Sequence, residues 1–97
     1  MKFYDNDSIL DAILDLPSGH QKDYASYLYN RVCDDARTYR DAVVLVDFTT
    51  AGFATDDAKH DIGRLVSVLD WEHEYSYDDL EHLFATWLWD LMRRDDD

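Results

Sequence analysis

The chain has 97 residues, of which 22 are Asp or Glu and 9 are Lys or Arg, giving a formal charge of −13. This length suits a single domain, residues 1–97, and a hydrophobic content of 46% supports a folded core rather than a disordered chain. The longest apolar run, 42–46, is far shorter than the roughly 20 residues that span a bilayer, and no secretory leader pattern opens the chain. The single cysteine suits the cytoplasm. The acidic balance excludes direct binding to nucleic acid or anionic membranes and favours a basic protein partner.

Two amphipathic segments flank an early break at Pro17 and Gly19. Before the break, four apolar residues recur at helical spacing: Ile9, Leu10, Ile13 and Leu14. Asp7 or Ser8 can cap this first helix. After the break we predict a second helix from His20 to about Asp35, with apolar positions at Tyr24, Tyr27, Leu28 and Val32.

The next segment fits two kinds of structure. Tyr39, Val43 and Val46 follow helical spacing and favour a third helix from about Ala36 to Thr50. The run 43–48 is also rich in β-branched residues and fits a buried strand. A strand needs a partner, and the alternation over 71–77 is the other period-2 candidate. We therefore prefer helix and keep as the alternative an α+β fold with a two-stranded sheet from 42–48 and 71–77.

Two clearer helices follow. Thr55, Asp56 and Asp57 can cap the first of them, whose apolar stripe is Ala58, Ile62, Leu65, Val66 and Leu69. Ser76 and Asp79 form a capping-box pattern that opens the last helix. Its inward stripe is Leu80, Leu83, Phe84, Trp87, Leu88 and Leu91, and Arg93 and Arg94 suit its negative end. The expected fold is all-α, a bundle of four or five short amphipathic helices, with residues 95–97 as a frayed tail.

Three acids stand one helical turn apart on the first helix. Asp7, Asp11 and Asp15 lie at i, i+4 and i+8, about 6 Å apart along the axis. Like charges at this spacing cost roughly 0.2–0.5 kcal/mol per pair, and Asp15 also opposes the helix dipole. A sequence selected for folding alone would favour Lys at one of these positions.

A second acidic stretch leads into the last helix: Asp70, Glu72, Glu74, Asp78, Asp79 and Glu81. Across the chain, 19 acids are Asp and only 3 are Glu, although Glu is the better helix former. The shorter Asp side chain loses less entropy when it is fixed. Rows of such carboxylates imitate the phosphates of a nucleic acid, whose contacts carry no sequence information.

Two plainer explanations account for acidic surfaces in general. Surface charge keeps small domains soluble, but −13 exceeds the magnitude of about 8 typical of them. Adaptation to high salt fits the excess of Asp and the scarcity of Lys, and fits the aromatic content less well.

Motifs for catalysis or cofactor binding are missing from the sequence. Three scattered glycines form neither a phosphate loop nor a dinucleotide-binding pattern. Asp57/His60 and Asp79/His82 are spaced like ligand pairs of di-iron bundles, but further Glu ligands are not evident. We therefore expect a non-enzymatic protein without cofactor or metal. Trp89 lies off the apolar stripe, so either a core or an interface position fits it.

In size and in its acidic rows, the chain resembles the small, phage-encoded DNA-mimic inhibitors, the antirestriction and anti-CRISPR proteins. The resemblance implies an inhibitor in the host cytoplasm that occupies the basic groove of a nucleic-acid-binding complex, such as a CRISPR effector, a restriction enzyme or a nuclease. The candidate partner-binding residues are Asp7, Asp11, Asp15, Asp70, Glu72, Glu74, Asp78, Asp79, Glu81 and Trp89. The sequence leaves open whether a homodimer lengthens this surface.

Three other functions fit the sequence. An immunity protein or antitoxin that neutralises a basic nuclease toxin would use the same physics at a compact acidic patch with aromatic anchors. A small metal-dependent enzyme would use the Asp/His pairs. A structural bundle would not depend on its surface acids.

Overall fold

Four helices make up the computed structural model, which describes residues 2–95 and the side chains as far as Arg93. They are α1 (Asn6–Asp15), α2 (His20–Val44), α3 (Phe48–Leu69) and α4 (Tyr77–Asp95). The described residues contain no strand, so the all-α prediction is confirmed and the sheet from 42–48 and 71–77 is wrong. Of the predicted tail, Asp95 ends α4, and residues 96 and 97 lie outside the described part. No described helix is long and apolar enough to cross a bilayer.

The second and third predicted helices are one continuous helix as far as Val44. The predicted boundary at Asp35 and Ala36 is wrong because no Pro or Gly interrupts the chain there. The residues of α2 that face the core are Ala25, Leu28, Val32, Ala36 and Ala42. Tyr24 and Tyr27, which the sequence placed on the inward stripe, are 42% and 54% exposed.

The predicted N-terminus of α3 is also wrong. Asp47 caps the helix by accepting hydrogen bonds from Thr50 N and Thr50 Oγ1, at 3.2 and 2.6 Å. Thr55 lies inside the helix, where its hydroxyl donates to the Ala51 carbonyl. The sequence does not indicate the cap at Asp47, because the apolar residues around it also fit a continuing helical stripe.

The α2–α3 turn is a Schellman motif with an unusual residue in its key position. Val46 N donates to the Val43 carbonyl and Asp47 N donates to the Ala42 carbonyl, at 3.0 and 2.7 Å. This motif needs one left-handed residue, which is usually Gly, and here Val46 adopts it with φ of 58°. A β-branched side chain in this region costs about 1–2 kcal/mol.

Four helices contribute to one core. The largest fully buried side chains are Ile9, Ile13, Leu28, Ile62, Leu65, Leu83 and Val32. Trp87 packs against Tyr29 with ring centroids 5.1 Å apart, and Phe84 meets Tyr39 edge to face at 5.9 Å. The predicted stripes of α3 and α4 therefore face inward, since their members are buried or partly buried.

The predicted capping box of α4 is present. Ser76 N donates to Asp79 Oδ2 at 2.9 Å, and Asp79 N donates to Ser76 Oγ at 3.2 Å. The helix therefore begins at Tyr77, one residue after its cap, as the pattern predicts.

The segment before α1 is fastened along α4 and its preceding loop. Phe3 N donates to Tyr75 Oη at 2.8 Å, and Asn6 N donates to Thr86 Oγ1 at 3.0 Å. Asp5 caps α1 in place of the predicted Asp7 or Ser8, accepting from Ser8 N at 2.8 Å. These bonds fix how α1 lies on the bundle and which of its faces is exposed.

Candidate protein-binding surface

Asp7, Asp11 and Asp15 form one exposed row along α1, which we call the α1 row. They lie on the opposite side of the helix from Ile9 and Ile13, which are buried in the core. Three carboxylates one turn apart span about 12 Å. None of them forms an ion pair with another residue in the described part of the chain. The row therefore presents negative charge to solvent without compensation from within the protein.

A neighbouring lysine offsets the dipole penalty that Asp15 imposes. Lys22 Nζ donates to the Leu14 carbonyl at 3.2 Å, in the last turn of α1. A cation at a helix C-terminus stabilises it by about 0.3–1 kcal/mol at exposed sites. Lys22 of α2 therefore stabilises the C-terminal end of α1, where Asp15 is unfavourable.

Asp70 holds the α3–α4 loop together. One carboxylate oxygen lies 2.6 Å from His73 Nδ1, and the other accepts from Tyr75 Oη at 2.8 Å. The bond with His73, above all, lowers the pKa of Asp70. Burial raises the pKa of Tyr75 to about 12, so its hydroxyl remains a donor to Asp70. Only 9% of the Asp70 side chain is exposed, and its oxygens are occupied within the protein.

Asp79 and Glu81 lie close to lysines. Asp79 Oδ2 is 2.7 Å from Lys2 Nζ, and this contact is the largest cause of its lowered pKa. Glu81 Oε1 is 3.7 Å from Lys59 Nζ, which also lies 4.0 Å from the centre of the Tyr77 ring. These two acids carry less uncompensated charge than the α1 row.

Three other predicted acids are exposed around the start of α4. Glu72 and Glu74 lie in the α3–α4 loop, and Asp78 lies in the first turn of α4. None of the three forms an ion pair with another described residue. Asp78 also suits the positive end of the α4 dipole.

The loop acids and the end of the α1 row share one end of the bundle. Gln21, at the start of α2, donates to the Val68 carbonyl near the end of α3. The adjacent Lys22 bonds to the end of α1. Asp15, Glu72 and Glu74 therefore belong to the same end of the molecule, which we call the acidic end.

Trp89 is 65% exposed and lies in a groove between α1 and α4. The groove has a volume of about 370 Å³, and its charged lining residues are Asp5, Asp7, Asp90 and Arg93. Asp90 Oδ2 accepts a 3.3 Å bond from Asn6 Nδ2. An exposed indole thus stands beside the first acid of the α1 row. The sequence alone does not indicate that Asp5 and Asp90 line one groove, because their proximity depends on how α1 packs against α4.

A second, larger groove of about 720 Å³ has both basic and aromatic side chains in its lining. It lies where α3 meets Tyr24 and Tyr77, and it is lined by Lys59, His60 and Arg64. Asp56 also lines it, and Glu81 lies beside Lys59, so acids offset part of its positive charge. In the sequence, this groove is indicated only by the three basic residues that lie within six positions of one another.

The Asp/His pairs do not assemble into a metal site. No group of three or more His, Cys, Asp or Glu side chains within the described residues is placed to hold a metal ion.

Comparison with known proteins finds no matching family model, no similar curated protein and no similar solved structure. The resemblance to DNA-mimic inhibitors therefore continues to depend on chain length and on the number and spacing of the acids.

Proposed function

We propose that the protein is a non-enzymatic inhibitor whose α1 row imitates nucleic-acid phosphates and binds the basic groove of a nucleic-acid-binding complex. The observation that carries this proposal is the α1 row itself. Three acids occupy consecutive turns of one helix face, are exposed, and lack a cationic partner among the described side chains. Asp7 suits the N-terminal end of the helix dipole, but the repulsion along the row and the position of Asp15 at the other end work against helix stability, so selection for folding does not account for the full row.

The spacing of the carboxylates suggests that the contact with the partner extends beyond the α1 row. A DNA strand carries one phosphate per about 3.4 Å of axis, whereas the row carries one carboxylate per about 6 Å. Glu72 and Glu74, at the acidic end, supply further exposed carboxylates. Asp70 and Asp79 contribute mainly by holding the loop that carries these residues.

Charge reversal of Asp11 and Asp15 to Lys tests this proposal. The double variant should lose binding to the captured partner, because it replaces attraction to Lys and Arg by repulsion. Its thermal stability should be unchanged or slightly raised, because repulsion between positions 7 and 11 becomes attraction and a cation at position 15 suits the C-terminal end of the helix dipole. The partner is first isolated by affinity capture from host lysate with a salt-gradient elution, and binding is then measured with purified components.

The matched control reverses two exposed acids elsewhere, Asp34 and Asp56, which gives the same change in net charge. This control should retain binding. Equal loss in both double variants would show that total charge, rather than the α1 row, drives association. Unchanged binding by the Asp11/Asp15 variant would refute the role of the row.

A second candidate function is supported by the groove beside Trp89. An exposed indole lies there among three acids and one base, Asp5, Asp7, Asp90 and Arg93. A compact, net acidic patch with an aromatic anchor is what an immunity protein would use. Competition separates the two functions. Short nucleic acid should displace a phosphate mimic from its partner, while a nuclease toxin anchored mainly by Trp89 should lose binding on Trp89→Ala and resist displacement.

A further inference from the structure

The far end of the α2–α3 hairpin is apolar on its outside. Six large hydrophobic residues there are between 40% and 77% exposed: Val43, Val44, Leu45, Val46, Phe48 and Phe53. We call these six residues the hairpin tip. The residues buried between the two helices at this end are Ala42, Ala51 and Ala54, which are 4–5% exposed. Small side chains fill the interior and large ones face outward, the reverse of what a solvent-facing hairpin requires.

We propose that the hairpin tip is the contact through which two copies of this chain associate. The first argument is area. At roughly 100 Å² for each exposed side chain, the tip presents on the order of 600 Å² of apolar surface. A stable interface buries about 800 Å² on each partner, so the tip supplies most of the area that a dimer needs.

Charge distribution identifies the second copy as the occupant. Residues 36–54 contain two bases, Arg37 and Arg40, and two acids, Asp41 and Asp47, so their net charge is zero. The rest of the chain carries the whole charge of −13. Two copies repel one another most strongly at their acidic faces and meet with the least repulsion at the tip. A basic partner is drawn instead to the acidic end, and an anionic membrane is repelled by the molecule as a whole.

Backbone geometry shows that the tip is built to present its side chains. Val46 is left-handed, where Gly would remove the strain, yet its side chain is 67% exposed and gains little from contacts within the chain. The turn is also fixed by the Asp47–Thr50 cap and the two Schellman bonds. The backbone that carries the apolar side chains is therefore fixed before association, so less entropy is lost when the tip becomes buried.

Analytical ultracentrifugation of the full chain over a range of concentrations tests the proposal. The wild-type protein should form a dimer, and Leu45→Lys should raise its dissociation constant by about 100-fold or more, because each substitution occurs twice in a symmetric interface. Leu45 is 77% exposed, so the variant should fold normally. Leu14→Lys, the same change at a residue that is 61% exposed on α1, is the matched control and should dimerise like wild type.

Val46→Gly provides a second variant that cannot fail through loss of fold. It removes an exposed side chain and also relieves strain, so the dimer should weaken while the unfolding temperature of the monomer rises by a few degrees. Opposite changes in the two measurements separate a contact role from a purely structural one. A dimer of unchanged strength in this variant would exclude Val46 from the interface.

Four results would overturn the proposal: a monomer at all concentrations, a dimer retained in Leu45→Lys, equal loss in the Leu14→Lys control, or sedimentation of the protein with uncharged phosphatidylcholine vesicles in place of self-association. These outcomes are independent of the proposed inhibition. A monomeric Leu45→Lys variant should still bind the basic partner through the α1 row, and the Asp11/Asp15 variant should still dimerise.

Discussion

Asp35 is an acidic residue that lies partly inside the protein. It is half-buried on α2 near Asp61 of α3, and its Oδ2 is buried without a hydrogen-bond partner among the described residues. Burial, followed by the charges of Asp61 and Asp57, raises the pKa of Asp35 to about 7, with Arg31 acting in the opposite direction. The folded protein therefore holds a proton here that the unfolded chain releases near pH 4.

Stability should consequently fall as the pH rises from about 4 to about 7. A raised pKa means that the folded state binds the proton more tightly, so its stabilising effect is complete below the unfolded pKa and lost above the folded one. Asp35→Asn should remove this dependence and be more stable than wild type at pH 8 by about 1 kcal/mol, since the partly exposed site is screened by solvent. Urea unfolding at pH 5 and pH 8 measures both effects.

Asp34→Asn is the control for this prediction, because Asp34 is adjacent, 76% exposed and paired with Arg37 one turn away. Its effect on stability should be small and similar at the two pH values. A pH dependence that persists unchanged in Asp35→Asn would mean that another group holds the proton.

At the scale of the helices, a boundary is predicted well where its sequence signal involves only neighbouring residues. The start of α4 was correct because Ser76 and Asp79 make a local capping box that depends only on neighbouring residues. The start of α2 at His20 is correct because Pro17 and Gly19 interrupt the chain just before it. The end of α2 and the start of α3 depend on where one apolar stripe gives way to the next, and that signal fails between Asp35 and Thr55. Ala36 and Ala42 face the core there, and apolar Val43 and Val46 face solvent, so hydrophobicity did not report burial.

The capping box should be worth about 1 kcal/mol to the fold. Ser76→Ala removes the hydroxyl that accepts from Asp79 N, so the free energy of unfolding should fall by this amount in urea titrations. Ser67→Ala is the matched control, because the Ser67 hydroxyl bonds the Gly63 carbonyl within α3 and Ala is a better helix former. A loss as large in Ser67→Ala as in Ser76→Ala would contradict a specific role for the cap.

At the scale of the whole molecule, the two proposed contacts respond to salt in opposite directions. The bundle measures 41 × 30 × 21 Å, and α2 alone extends about 37 Å. The acidic end and the hairpin tip lie near opposite ends of this helix, since α2 begins beside α1 and ends at the tip. The contact proposed at one end depends on charge, and the contact proposed at the other depends on burial of apolar surface.

Added salt should therefore weaken partner binding and strengthen the dimer. Screening reduces the attraction of the α1 row to a basic groove, with a loss of affinity on the order of tenfold or more between low and high salt. The same screening lessens repulsion between two copies that each carry −13. Parallel titrations of binding and sedimentation with sodium chloride check both directions, and a shared direction would show that one kind of force governs both contacts.

How far the sequence predicts the candidate surface depends on the range of the contacts involved. Periodicity alone places Asp7, Asp11 and Asp15 together, because their spacing is that of one helix face. The contacts of Asp70 with Tyr75 and of Asp79 with Lys2 are not indicated by the sequence, because they form only in the folded chain. The tip was visible as the run 42–46, but an apolar run does not reveal whether the fold covers it.

The bonds that seat α1 have a consequence for how the protein is made. Lys2, Phe3 and Asn6 bind partners on α4 and its loop that are 72 to 84 positions later in the chain. Ribosomes release the chain from its first residue onward, so the α2–α3 hairpin can pair while α4 is still being translated. The bonds that fasten the segment before α1 can therefore form only after the α3–α4 loop and α4 have been translated, whereas the Lys22 bond to the end of α1 can form earlier.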